Sequence, residues 1–187
     1  MSTGYKISEP NGLYFLTFQI VGWVDLFTRQ VYKDIAIESL KYCQENKGLN
    51  LFAFIIMSNH MHLLAQSSTS DLSGFIRDFK NFTSSKFIEI IDNENIESRR
   101  DWLKVVFKYH GKFKNKQEYQ IWTHENHPEE IYSQKSIEQK IDYIHNNPVR
   151  AGIVTKPEDY IYSSARNYTN LGGILDVLKV DFLWKTV

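Results

Sequence analysis

The chain has a single cysteine, Cys43, so a disulfide within the chain is excluded and a cysteine-based zinc site is disfavoured. It has no excess of either charge, with 22 Lys plus Arg against 22 Asp plus Glu. That balance argues against a protein that coats nucleic acid through overall basicity, although a local basic groove stays open. It has no long hydrophobic run: Phe52–Met57 is among the longest, far short of the roughly 20 residues a membrane helix needs. The first residues, Met1-Ser2-Thr3-Gly4-Tyr5-Lys6, lack a basic stretch followed by an apolar run, so no signal peptide is expected. These absences predict a soluble, cytoplasmic protein with no membrane partner. What the chain does have is aromatic residues, 12 Phe, 11 Tyr and 4 Trp in 187 residues, which predicts one domain with a large core.

Hydrophobic periodicity orders the chain. Residues 13–21 are β-branched and aromatic and predict a strand. Thr28 is placed to cap a helix carrying Val31, Ile35, Leu40 and Cys43 at helical spacing, with Gly48 as its stop. Leu51–Met57 and His60–Gln66 predict a hairpin turning at Ser58-Asn59. Leu72, Phe75, Ile76, Phe79, Phe82 and Phe87 give the next helix an apolar face. Tyr119–Thr123 reads as a fourth strand. Ser136 with Gln139 forms a capping-box pattern for a last helix that Pro148 is expected to end near Asn147. This order predicts an α+β, ferredoxin-like split β-α-β fold: an antiparallel sheet with helices on one face and an added C-terminal helix. Residues 1–187 read as one domain, with a basic insertion at 92–118 and an apolar C-terminal extension at 170–187 expected to pack on the domain or a partner.

His60 and His62 stand two apart on a predicted strand, so both imidazoles point to one face and Met61 to the other. Such a pair can share a divalent cation, or can simply be two histidines on a polar face. In the last helix, Ile137, Ile141 and Ile144 form an apolar stripe. Tyr143 and Asn147 share one flank of it and His145 lies on the opposite flank. Two imidazoles and an amide oxygen leave a cation open positions for phosphate oxygens and water, and a nearby phenol is a suitable nucleophile once helped by the ion or a base. A covalent phosphotyrosine conserves the bond for rejoining.

The one basic stretch, residues 97–116, holds Arg99, Arg100, Lys104, Lys108, Lys112, Lys114 and Lys116 against Glu97 and Asp101. With Arg77, Lys80 and Lys86 on the preceding helix and Arg150 after the tyrosine, it predicts a phosphate-contacting track. Trp102, Phe107, Tyr109 and Phe113 interleave these charges and offer rings for unpaired bases, packing being the alternative. His110, His124, His127 and His145 are expected to be structural or surface residues.

These residues carry a resemblance. Ile56–Leu64 resembles the His-hydrophobic-His motif of the HUH single-strand DNA transposases and nucleases. Asp142–Gly152 resembles their single-tyrosine helix, and Tyr160–Ala165 resembles the segment that follows it in REP-associated tyrosine transposases, relatives of the IS200-like transposases. The similarity spans about Tyr14 to Tyr168. It implies a ferredoxin-like fold, a Mg²⁺ or Mn²⁺ cofactor, and cleavage of single-stranded DNA near a hairpin through a 5′-phosphotyrosine that frees a 3′-OH. By motif, His60, His62 and Asn147 would be metal ligands and Tyr143 the nucleophile. A homodimer is implied as well. Two other readings compete: a binding module that holds single-stranded nucleic acid on its sheet without cutting it, and a metal-dependent nuclease that uses water.

Overall fold

In the computed structural model, residues 7–93, 95–112 and 118–180 are described. Strand β1 (Tyr14–Gln19) sends successive side chains to opposite sheet faces. Tyr14, Leu16 and Phe18 enter the main core, and Phe15 joins a second, smaller one on the opposite face. Helix α1 (Gln30–Asn46) follows and stops where Gly48 takes φ +66°, a conformation costly for a residue with a Cβ. Strands β2 (Leu49–Ile56) and β3 (His60–Ser67) form the expected hairpin. Helix α2 (Leu72–Asp92) opens on Asp71, whose carboxylate accepts from Gly74 N at 2.8 Å. Then come α3 (Arg100–Lys112), the two-residue β4 (Glu129–Glu130), α4 (Gln134–Arg150) and a short α5 (Ala165–Tyr168).

The sheet order is β2-β3-β1-β4, and every pair is antiparallel. This is the split β-α-β arrangement the sequence predicts. The main core joins α1, α2 and α3 to one sheet face. At its centre Trp122 packs within 6.1 Å of the Phe18, Phe27, Phe79 and Phe87 rings. The Trp122 indole donates to Thr83 Oγ1 at 2.9 Å, so the buried polar edge is satisfied. Helix α4 lies on the other face, anchored by Ile141 and Ile144 against Phe15, Ile55 and Leu64.

Several local expectations are corrected. The predicted strand at 119–123 contributes one bridge, Ile20 to Trp122, and the ladder resumes at Phe15 to Glu129. That is seven steps against five on β1, so two residues loop out, where His127 takes φ +42° and Pro128 follows. Thr28 does not cap α1; its hydroxyl donates to the Asp25 carbonyl. The cap of α4 is Ser133 rather than Ser136, accepting from Ser136 N at 3.2 Å. Phe82 is exposed rather than part of the core. Pro148 sits inside α4 and does not end it: Ala151 N still bonds Asn147 O at 3.0 Å, and the stop is Gly152 at φ +70°. Asn147 therefore keeps its helical place.

The outer edge of β2 is covered. Ile56 N bonds Tyr162 O, Ser164 N bonds Phe54 O, and Leu178 N bonds Leu51 O at 2.8 Å. Leu175 of the C-terminal extension is buried in the main core, whereas Leu171, Ile174 and Leu178 remain exposed. Lys114, Lys116, Phe113 and residues 181–187 lie outside the described residues.

Candidate active site

The β3 alternation buries Met61 completely and places His60 and His62 on the face that α4 covers only in part. Their ring centroids are 4.8 Å apart. Each imidazole is fixed through Nδ1. His60 Nδ1 lies 2.8 Å from Asn59 Oδ1, and Asn59 in turn donates to Asp25 Oδ1 at 3.0 Å. His62 Nδ1 lies 3.0 Å from Thr17 Oγ1, which is its cross-strand partner in the β1–β3 register. Phe15 stacks on His62 at 5.0 Å and 24°. At His60 the amide oxygen accepts from Nδ1–H, which leaves the Nε2 lone pair free, the tautomer a metal ligand needs; the Thr17 hydroxyl can accept from His62 Nδ1–H in the same way. Burial pushes the His62 pKa down to about 3, with His60, Lys140 and Arg150 adding to the effect; burial also lowers that of His60. Both rings are thus neutral at neutral pH, as ligation requires.

Helix α4 brings the tyrosine. With Ile141 and Ile144 facing the sheet, Tyr143 stands at its border, 40% exposed. Its ring meets His62 at 5.3 Å and Phe15 edge-on at 5.8 Å. Arg150 folds back over it: the guanidinium carbon is 4.5 Å from the ring centroid, and Nη2 donates to the Tyr143 carbonyl at 2.7 Å. Asn147, one turn beyond Tyr143, is half-buried. Lys140 lies over Phe15 at 4.5 Å and pairs with Glu129 at 2.6 Å. Two cations therefore flank the histidines and the phenol, a setting that attracts a phosphodiester.

The donor set fits a divalent ion with open positions. Among the described residues no group of three or more His, Cys, Asp and Glu converges, so beyond the two imidazoles ligands must come from an amide, water or substrate. Asn147 lies on α4 one turn beyond Tyr143. Imidazole ligands suit Mn²⁺ or Zn²⁺ better than Mg²⁺.

The remaining predicted residues are dispersed. Helix α2 packs on the opposite sheet face, so Arg77, Lys80 and Lys86 do not line the tyrosine site. Arg77 pairs with Asp78 at 3.0 Å and Lys86 with Glu89 at 2.8 Å. Lys80 is turned inward, donating to Thr123 O at 2.7 Å, and burial lowers its pKa to about 8. Arg99 is bound bidentately to Glu97, Arg100 lies 3.8 Å from Asp101, and Lys104 pairs with Asp92. Lys108 and Lys112 are exposed on α3. His145 is buried against Ser164 Oγ at 2.8 Å, a structural residue as expected.

Sequence reasoning missed Thr17, Asn59 and Lys140 at the site. Strand alternation around His62 offered a signal for Thr17. Lys140, one turn before Tyr143 on α4, was visible as a spacing.

The family described as Transposase IS200 like matches residues 24–147, a span that takes in both histidines, Tyr143 and Asn147. No curated protein matches the chain. Among solved structures, a REP-associated tyrosine transposase bound to a REP hairpin superposes with a TM-score of 0.61. It is 20% identical, over 98% of this chain and 96% of that one, a likeness of fold. Matched over more than half its length, and folded as its element order requires, the chain belongs to the IS200-like transposase family.

Proposed function

We propose that the protein is a metal-dependent endonuclease and strand transferase acting on single-stranded DNA near hairpins, with Tyr143 as nucleophile. The observation that carries this reading is the approach of the Tyr143 ring to within 5.3 Å of His62, inside one chain. A binding module has no use for a phenol held beside a neutral imidazole pair.

In the proposed step Tyr143 Oη bonds to phosphorus and the bond from phosphorus to the 3′ oxygen breaks. The phosphoryl group stays on the tyrosine as a 5′-phosphotyrosine, and the phenolic proton passes to solvent. The departing 3′ oxygen takes up a proton to become a 3′-OH, which can later attack the same linkage and rejoin the strand. His60, His62 and Asn147 would hold a divalent ion, whose chemistry is to polarise the phosphodiester and stabilise charge on the leaving oxygen. Thr17 and Asn59 orient the imidazoles. Arg150 steadies the phenol from above and, with Lys140, draws in the phosphate.

In this reading Tyr143 serves the histidine pair of its own chain, beside which its ring lies, and a homodimer, which the family resemblance implies, would not be needed to complete the site. Sedimentation at micromolar concentration distinguishes monomer from dimer. No helix among the described residues is long and apolar enough to cross a membrane.

The decisive experiment is covalent trapping. Labelled hairpin DNA with single-stranded flanks is incubated with protein and Mn²⁺, denatured and run on a gel. The expected result is a labelled band at protein size that is lost in Tyr143→Phe and His60→Ala. Cutting without an adduct that survives Tyr143→Phe would show a water nuclease. Binding with neither adduct nor cutting would show a binding module.

A further inference from the structure

The outward face of α3 is unusual. Leu103, Phe107 and Gly111 face the core. The residues pointing directly away from them, where a surface helix ordinarily carries charge, are Trp102, Val105 and Tyr109, exposed by 52%, 70% and 59%. Beside this stripe lies Trp23, 65% exposed and held at φ +55°, a left-handed conformation that a bulky residue rarely adopts. Its neighbour Gly22 is at φ +64°, and a Cβ there would come within 3.2 Å of His110 Nε2 and 3.6 Å of Val106. The turn after β1 is thus pressed against the C-terminal half of α3, which sets Trp23 next to the stripe. Lys108 and Lys112, both exposed, flank the rings on one side.

A separate cleft of about 320 Å³ lies between the turn after β1, His110 and the outer strand segment, lined by Gln19, Gly22, His110, His124, Glu125 and His127. Gln19 is the cross-strand partner of His60. The stripe from Trp102 to Tyr109 is about 10 Å long at the helical rise, room for about three bases at the stacking interval of a nucleic-acid strand.

We propose that Trp102, Val105 and Tyr109, with Trp23 beside them, form a stacking platform for unpaired bases of a DNA strand whose backbone is held by Lys108 and Lys112. This rests on the reading of the protein as a single-strand DNA enzyme and extends it to a surface remote from the chemistry. Rings bind bases whatever their sequence, since every base has a flat face. The lysines supply charge of the sign a phosphate backbone needs, which separates this surface from a plain apolar docking site.

The test measures affinity of the full-length protein for two hairpins, one blunt and one with unpaired flanks, in a Tyr143→Phe background so that no strand is cut. The platform predicts a preference for the flanked hairpin. Trp102→Ala or Tyr109→Ala should lower that affinity by about tenfold per ring, leave blunt-hairpin affinity within about twofold, and leave the circular dichroism unchanged. Trp102→Phe should restore most of the loss, and tryptophan emission should be quenched by the flanked DNA alone. Lys108→Gln should reduce the salt dependence of binding by about one charge. Unchanged flanked-hairpin affinity in Trp102→Ala, Tyr109→Ala and Trp23→Ala together would overturn the platform, and an adduct still formed through Tyr143 would then leave the enzyme reading standing. No adduct with any hairpin, together with a flank preference that these variants abolish, would sink the enzyme reading and keep the platform.

Discussion

Replacing Glu97 by Gln should cost this protein a large part of its stability. Glu97 is 1% exposed and lies between α2 and α3. Its Oε1 accepts from Arg99 N and Arg99 Nε and meets Arg29 Nε, each at 3.0 Å, while Oε2 accepts from Arg99 Nη2 at 3.0 Å and Tyr32 OH at 2.9 Å. Burial pushes the carboxyl pKa up, but the bonds from Arg99 and Tyr32 outweigh it and hold it at about 2, against an ordinary 4.5. The sign follows from proton binding: the native state takes up its proton at lower pH than the unfolded chain, so ionised Glu97 stabilises the fold above pH 4.5. The gap corresponds to about 3 kcal/mol, lost as pH falls from 4.5 through 2. Glu97→Gln removes that charge while keeping the volume, and leaves two guanidinium groups facing an amide. We expect a loss of about 2–4 kcal/mol at pH 7, short of the full penalty for a broken buried pair because both arginines are partly solvated. Domains of ordinary stability have about 5–15 kcal/mol in all. Urea unfolding at pH 7, 5, 4 and 3 measures it. The parent should weaken steeply below pH 4.5, and the variant should weaken less over the same range. A variant within about 0.5 kcal/mol of the parent at pH 7, or one with the same pH slope, would refute the clamp.

Other consequences are as direct. Thr17→Val keeps the shape beside His62 but removes the oxygen at Nδ1, so Mn²⁺ affinity measured by calorimetry should fall about 10- to 100-fold; unchanged affinity would remove Thr17 from the site. Gly22→Ala places a Cβ 3.2 Å from His110 Nε2 at φ +64°, and should cost about 1–2 kcal/mol in thermal unfolding, where a neutral result would show that the turn relaxes freely. Lys80 has its pKa lowered by burial to about 8, so the parent should gain stability as pH rises from 8 to 10.5. Lys80→Met should lack that rise in urea titrations, and an identical pH profile would show that Lys80 is solvated.

What was legible in the sequence was what periodicity encodes. The two-residue repeat of β3 sets His60 and His62 on one face in any sheet, and the isoleucines of α4 orient Tyr143 toward it. What escaped depended on distant partners. Glu97 counted as one acid in a basic stretch, because Arg29 and Tyr32 lie more than sixty positions away. Lys80 read as a surface lysine, since nothing local shows that Thr123 offers a carbonyl to it. Pro148 misled in the opposite way: its local rule predicts a helix end, yet the hydrogen bond it forfeits falls in the last turn, where Gly152 rebuilds the terminus. The fourth strand failed because Pro128 and the left-handed His127 break a ladder that Trp122 begins.

The covering of the β2 edge governs how this protein behaves in a crowded solution. Residues 162–164 and 178 occupy amide and carbonyl groups of Leu51, Phe54 and Ile56 that a neighbouring chain would otherwise find open. A chain ending at Asp159 would keep the histidines and the tyrosine but present a naked apolar edge. It should self-associate on concentration, visible as rising light scattering that the intact chain does not show; a clear, monodisperse truncation would mean the edge needs no guard. Residues remote from the histidines and the tyrosine would then decide whether the protein stays dispersed.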